Sequence, residues 1–85
     1  MNLARLKPTI AIIEDDAAVR SSLVFLLECC GFPVLAYGSG DELLADGDSH
    51  CDCMVIDYHL PAMTGLELID CLPASRTKAP VVLVT

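Results

Sequence analysis

The strongest constraint on this chain is an alternation. Four short apolar runs rich in β-branched residues are separated by three segments with helix signals. The first run, Thr9–Ile13, is continuously apolar, as a parallel strand buried on both faces reads. Pro33–Tyr37 is a shorter run that opens with proline and so suits a position near a sheet edge. Cys51–Ile56 and Pro80–Thr85 complete the set. Strand and helix in alternation require βαβ crossovers, which gives an α/β fold with a doubly wound parallel sheet. With 85 residues there is room for one domain, and a composition 54% hydrophobic supports a packed core rather than disorder.

Local signals place the helices. Asp16 precedes the first as an N-cap, and Val19, Leu23, Leu26, Leu27 and Cys30 share one predicted inward stripe. Gly31 supplies a left-handed stop and Pro33 prevents continuation. Ser39-Gly40-Asp41-Glu42 has the spacing of a capping box and opens a short second helix carrying Leu43 and Leu44. Asp46-Gly47-Asp48-Ser49 reads as a turn. Thr64-Gly65-Leu66-Glu67 repeats the capping-box spacing for a third helix, with Leu66, Ile69 and Leu72 expected inward.

The formal charge of −7 disfavours direct contact with nucleic acid or an anionic membrane surface, both of which need clustered cations. No apolar stretch approaches the length of a membrane span, and Glu14 cuts short the only run that resembles a leader, so a cytoplasmic location is expected. Five cysteines form no disulfide framework. His50, Cys51 and Cys53 lack the spacing of a structural zinc site, so Cys30 and Cys53 are read as reduced thiols in the core.

Chemistry concentrates at two strand ends. Glu14-Asp15-Asp16 follows the first run, and Asp57 follows Met54-Val55-Ile56. Open α/β sheets place ligand sites just beyond the carboxyl ends of their strands. Carboxylates meeting there suit a hard cation such as Mg²⁺, with Asp57 a potential nucleophile.

Three motifs carry a resemblance. Ile12-Ile13-Glu14-Asp15-Asp16, then Asp57-x-x-Leu60-Pro61-x-Met63-x-Gly65, then Pro80-Val81-Val82-Leu83-Val84-Thr85, in order and at fitting separations, resemble the receiver domain of two-component response regulators, the nitrogen-fixation and nodulation type above all. The resemblance covers the whole chain. It implies a flavodoxin-like (CheY-like) fold with strand order 2-1-3-4. It implies that Asp57 accepts a phosphoryl group from a sensor histidine kinase, with Mg²⁺ bound by Asp15, by Glu14 through water, by Asp57 and by the His59 backbone carbonyl. Thr85 is implied as the switch residue. Such a domain catalyses only its own phosphorylation and dephosphorylation and is not a turnover enzyme. The aspartyl-phosphate phosphatases need a second aspartate where this chain has His59.

Two departures stand out. Glu14 occupies a position where the family more often has aspartate. Against the family pattern, residues 1–85 read as one C-terminally truncated receiver lacking the fourth helix, fifth strand and fifth helix. The family's lysine, which balances phosphoryl charge, is not matched by Lys7 or Lys78. That reading leads to an expectation of self-association through an exposed fourth strand or the uncovered first helix. It also sets an alternative beside the phospho-accepting one: a non-phosphorylated, receiver-like interaction or dimerisation fragment.

Overall fold

A computed structural model describes residues 7–46, 50–72 and 79–84. Thr85, Lys78, Pro73 and most of the Asp46–Ser49 turn lie outside the described residues. The elements run β1 (Ile10–Ile13), α1 (Ala17–Cys29), β2 (Val34–Tyr37), α2 (Gly40–Ala45), β3 (Cys53–Asp57), α3 (Gly65–Cys71) and β4 (Val81–Val84). All strand pairs are parallel, in the order β2-β1-β3-β4. The crossover predicted from alternation and the strand order implied by the resemblance are therefore both present.

Side chains alternate across the sheet, and its two faces fare differently. Ala11, Ile13, Met54 and Ile56 pack with Leu43, Leu60, Leu68 and Leu72 into the main buried cluster, beneath α2 and α3. The opposite face carries α1, no residue of which is fully buried. This helix packs against β1 and β2. Leu23, Val24 and Leu27 are half-buried there, whereas Leu26 stays 60% exposed, and Val19, on the side toward Val55 and Val84, stays 43% exposed. The inward stripe expected from the sequence is thus only partly realised, because the helix covers two strands of four. Cys30 is exposed too, as the C-cap residue, in contrast to the core position expected for it; Cys51 is buried and Cys53 half-buried.

Capping chemistry fixes the helix ends. Asp16 Oδ1 accepts from the N–H groups of Ala18 and Val19. At the other end Gly31 has φ +91°. Its N–H donates to the Glu28 carbonyl and the Phe32 N–H to that of Leu27, a Schellman closure that glycine permits at no steric cost. Lys7 adds a bond from its ammonium to the Cys30 carbonyl at 2.6 Å. Thr64 and Glu67 form a complete capping box. At α2, Ser39 accepts from the Glu42 N–H, but the Glu42 carboxylate bonds the N–H of Gly38, one residue before the box's usual partner.

The phase of α3 differs from expectation. Leu68 is fully buried and Leu72 nearly so, Ile69 is half-buried, and Leu66 is 51% exposed. Gly65 sets this phase. A Cβ there would lie 2.8 Å from Leu83 Cδ2 and 3.2 Å from the Asp57 carbonyl oxygen. With Gly65 pressed against β3 and β4, the next residue turns outward and the residues three and seven positions on turn inward.

Candidate functional site

Parallel pairing brings the ends of β1 and β3 side by side, with Ile13 opposite Ile56. The residues that follow, Glu14 and Asp15 on one side and Asp57 on the other, bring carboxylate oxygens within 4.8 Å of one another. They are the one such cluster among the described residues. Asp16 does not join it: its carboxylate is committed to the α1 N-cap.

Each member is held by its local backbone. The Glu14 N–H donates to the Tyr37 carbonyl at 3.0 Å, tying the residue to the end of β2. The Glu14 carbonyl accepts from Arg20 Nη1 at 2.9 Å. Asp57 Oδ1 accepts from the His59 N–H at 3.0 Å, an Asx-type turn that fixes the carboxylate at the strand end. The loop beyond closes on itself: the Gly65 N–H donates to the Tyr58 carbonyl at 2.9 Å, and His59 pairs with Thr64 in an antiparallel bridge. Leu60 buries beneath this loop and Met63 packs beside Gly40, so the loop's apolar positions anchor it to the core. On the neighbouring strand, the Tyr58 N–H bonds the Val84 carbonyl at 2.8 Å.

The electrostatics follow from crowding. Burial pushes the Glu14 carboxyl up, and a hydrogen bond to Asp57 adds to this, so it titrates at about 7 rather than 4.5. Burial also acts to raise Asp57, but the His59 N–H and side-chain hydrogen bonding within the Glu14–Asp15 cluster outweigh it and hold this carboxyl below its ordinary value. Below about pH 7 Glu14 thus holds a proton that it can donate toward the Asp57 carboxylate. Among the described residues no lysine or arginine forms an ion pair with these carboxylates. The donors are all hard oxygens, without thiol or imidazole, which fits Mg²⁺ or another hard cation and not a zinc-type ion.

Of the residues anticipated from sequence, Glu14, Asp15 and Asp57 come together, and the His59 backbone adjoins them through its N–H. Thr85 lies outside the described residues. A small cavity bordered by Ile12, Val19, Leu23, Val55 and Val84 opens next to Glu14 and Asp57 on the α1 side. Arg20 was not anticipated. It is not among the residues of the predicted inward stripe, yet its side chain donates to the Glu14 carbonyl. Its position four residues after the N-cap, one turn along the same helix side, was the available signal.

The chain matches the family model described as "Response regulator receiver domain" over residues 10–85. It is 35% identical over 80 residues to the transcriptional regulatory protein FixJ of Bradyrhizobium diazoefficiens, covering 93% of this chain and 39% of that protein. It is 31% identical over 83 residues to Nodulation protein W of the same organism, covering 96% of this chain and 37% of that one. The crystal structure of full-length FixJ from B. japonicum superimposes with a TM-score of 0.80 at 36% identity, over 93% of this chain and 39% of that chain. The chain therefore spans well under half the length of these relatives.

Proposed function

The chain belongs to the response regulator receiver domain family of two-component systems, and from that premise we propose that Asp57 accepts a phosphoryl group from a sensor histidine kinase. The observation that carries this is the convergence of Glu14, Asp15 and Asp57 at the carboxyl ends of two adjacent parallel strands. In the proposed reaction an Asp57 carboxylate oxygen forms the new O–P bond as the N–P bond to the donor histidine breaks. The electron pair of that bond returns to the imidazole. The hydrogen bond from the His59 N–H to Oδ1 holds the carboxylate in one orientation for in-line attack. A hydrogen bond of this kind also keeps Asp57 ionised, as a nucleophile must be.

Mg²⁺, when bound, neutralises the repulsion between Asp57 and the incoming phosphoryl oxygens. Asp15 and Asp57 would hold it directly, Glu14 through water, and the His59 carbonyl would complete the protein ligands. Thr85, following β4, would turn its hydroxyl toward the new phosphoryl oxygens and relay the change, a local charge event biasing a two-state surface. Residues 1–85 would act as one receiver unit in the cytoplasm. No helix among the described residues is long and apolar enough to cross a membrane. Self-association belongs to the same reading: Val19, Val82 and Val84 are each more than 40% exposed beside one another's elements, an apolar face suited to a second copy. A light-scattering mass equal to one chain at high micromolar concentration would count against that part alone.

The test of the main reading is incubation with Mg²⁺ and a small acyl phosphate, followed by intact-mass measurement. One phosphoryl increment is expected, absent in Asp57→Asn. An unmodified wild-type chain would instead favour a receiver-like interaction fragment that is not phosphorylated.

A further inference from the structure

We propose that Arg20 is a positioning residue for the acidic site, and that it places Glu14 without neutralising it. This inference rests on the metal-binding role proposed for Glu14, Asp15 and Asp57. Arg20 is half-buried on the first turn of α1, and its backbone N–H donates to the Asp16 carbonyl at 2.8 Å. Its Nη1 donates to the Glu14 carbonyl at 2.9 Å, while the Glu14 N–H is held by the Tyr37 carbonyl at 3.0 Å. Glu14 is thus gripped at both ends of its backbone, by a side chain of α1 and by the end of β2.

The guanidinium is itself confined. A Cβ at Gly38 would come 3.3 Å from Arg20 Nη1 and 3.4 Å from Glu42 Oε2. The Glu42 carboxylate is pinned in turn by the Gly38 N–H at 2.6 Å. Arg20 therefore sits in a slot between the β1–α1 and β2–α2 connections, with the bare backbone of Gly38 as one wall and a carboxylate near the same point. A planar guanidinium with several donors in a fixed fork suits such a slot better than a flexible ammonium.

The consequence for chemistry is specific. A glutamate at the end of β1 has one more rotatable bond than aspartate, and apart from the Asp16 N–H at 3.4 Å and its bond to Asp57 its carboxylate depends on a fixed backbone for its position. Arg20 provides that fixing through the carbonyl. Because the guanidinium bonds the carbonyl and, among the described residues, no lysine or arginine pairs with the carboxylates, a divalent cation meets no side-chain cation already seated on them. Groups that orient ligands from outside the coordination sphere typically alter metal affinity by about 10- to 100-fold, and one acting through a backbone carbonyl belongs at the lower end.

The experiment is a Mg²⁺ titration of the full chain followed by ¹H–¹⁵N NMR, reading the amides of Asp15 and His59, with thermal unfolding in EDTA as the control for fold. Arg20→Met is expected to weaken Mg²⁺ binding about tenfold, and Arg20→Lys, which keeps one donor, to recover part of the loss. Gly38→Ala, which crowds Nη1 and the Glu42 carboxylate but meets none of Glu14, Asp15 and Asp57, is expected to weaken binding in the same direction. A merely structural Arg20 would lower the unfolding temperature in EDTA and leave the Mg²⁺ affinity of the folded protein unchanged in all three variants; that result overturns the proposal. If Arg20→Met does not fold, unchanged affinity in Arg20→Lys and Gly38→Ala together overturns it. A wild-type chain whose Mg²⁺ response survives Asp15→Asn would overturn the site reading itself, and the proposal with it.

Discussion

Replacing Glu14 by glutamine tests the charge crowding at the two strand ends. In the folded chain Glu14 titrates at about 7, against 4.5 ordinarily, mainly through burial and then through its hydrogen bond to Asp57. Between those two values the folded state holds a proton that the unfolded state has lost, so stability falls as pH rises through this window and stays reduced above it. A fully shielded group with such a shift would cost roughly 3 kcal/mol at pH 8. Glu14 is only half-buried, so solvent screening reduces the expected cost to about 1 kcal/mol. Asp57 and Asp52 are held below their ordinary value of 3.8, and their contributions are lost only as pH falls below that value, outside the window. Glutamine cannot ionise, yet its amide can donate to Asp57 as the protonated acid does. Urea unfolding of both proteins in EDTA, from pH 4.5 to 8, should show nearly equal stabilities at the acidic end. Glu14→Gln should become more stable by about 1 kcal/mol at pH 8, or roughly 4–8 °C in unfolding temperature for a domain of this size. A difference that is flat with pH, or a glutamine variant less stable at pH 8, would refute the account of a proton-retaining cluster.

Two further predictions concern how the fold delivers Asp57. Gly65→Ala should destabilise by about 1–3 kcal/mol in urea unfolding, because the new methyl meets Leu83 and the Asp57 backbone at closer than normal contact; an unchanged midpoint would show that α3 can shift freely away from β3. Leu68→Ala should cost about 2–5 kcal/mol and Leu66→Ala less than about 0.5 kcal/mol, since only the former is buried; comparable losses would contradict the observed helix phase.

The sequence carried the architecture because its signals are local and mutually consistent. β-Branched runs, caps at Asp16, Ser39 and Thr64 and the stop at Gly31 each specify one element, and alternation then dictates parallel pairing. The acidic cluster was legible for the same reason: parallel strands bring their carboxyl ends to one edge, so Glu14, Asp15 and Asp57 had to approach. What was not legible depends on how elements lie across one another. Hydrophobicity alone cannot choose between Leu66 and Leu68; the close approach of Gly65 to β3 and β4 decides, and that is a tertiary contact. Val19 and Leu26 fit an inward stripe by periodicity, but α1 lies over β1 and β2 and leaves them uncovered. Arg20 was passed over because its role runs through a backbone carbonyl, which no spacing of chemically active side chains reveals.

The most direct measurement is the location and metal dependence of the phosphoryl adduct. After treatment with an acyl phosphate, borohydride reduces an aspartyl phosphate to homoserine, and peptide mass mapping finds the altered residue. Homoserine is expected at position 57, formed in Mg²⁺, suppressed in EDTA and suppressed by Asp15→Asn. Homoserine at another acidic residue, or conversion at Asp57 that is indifferent to both EDTA and Asp15→Asn, would contradict it.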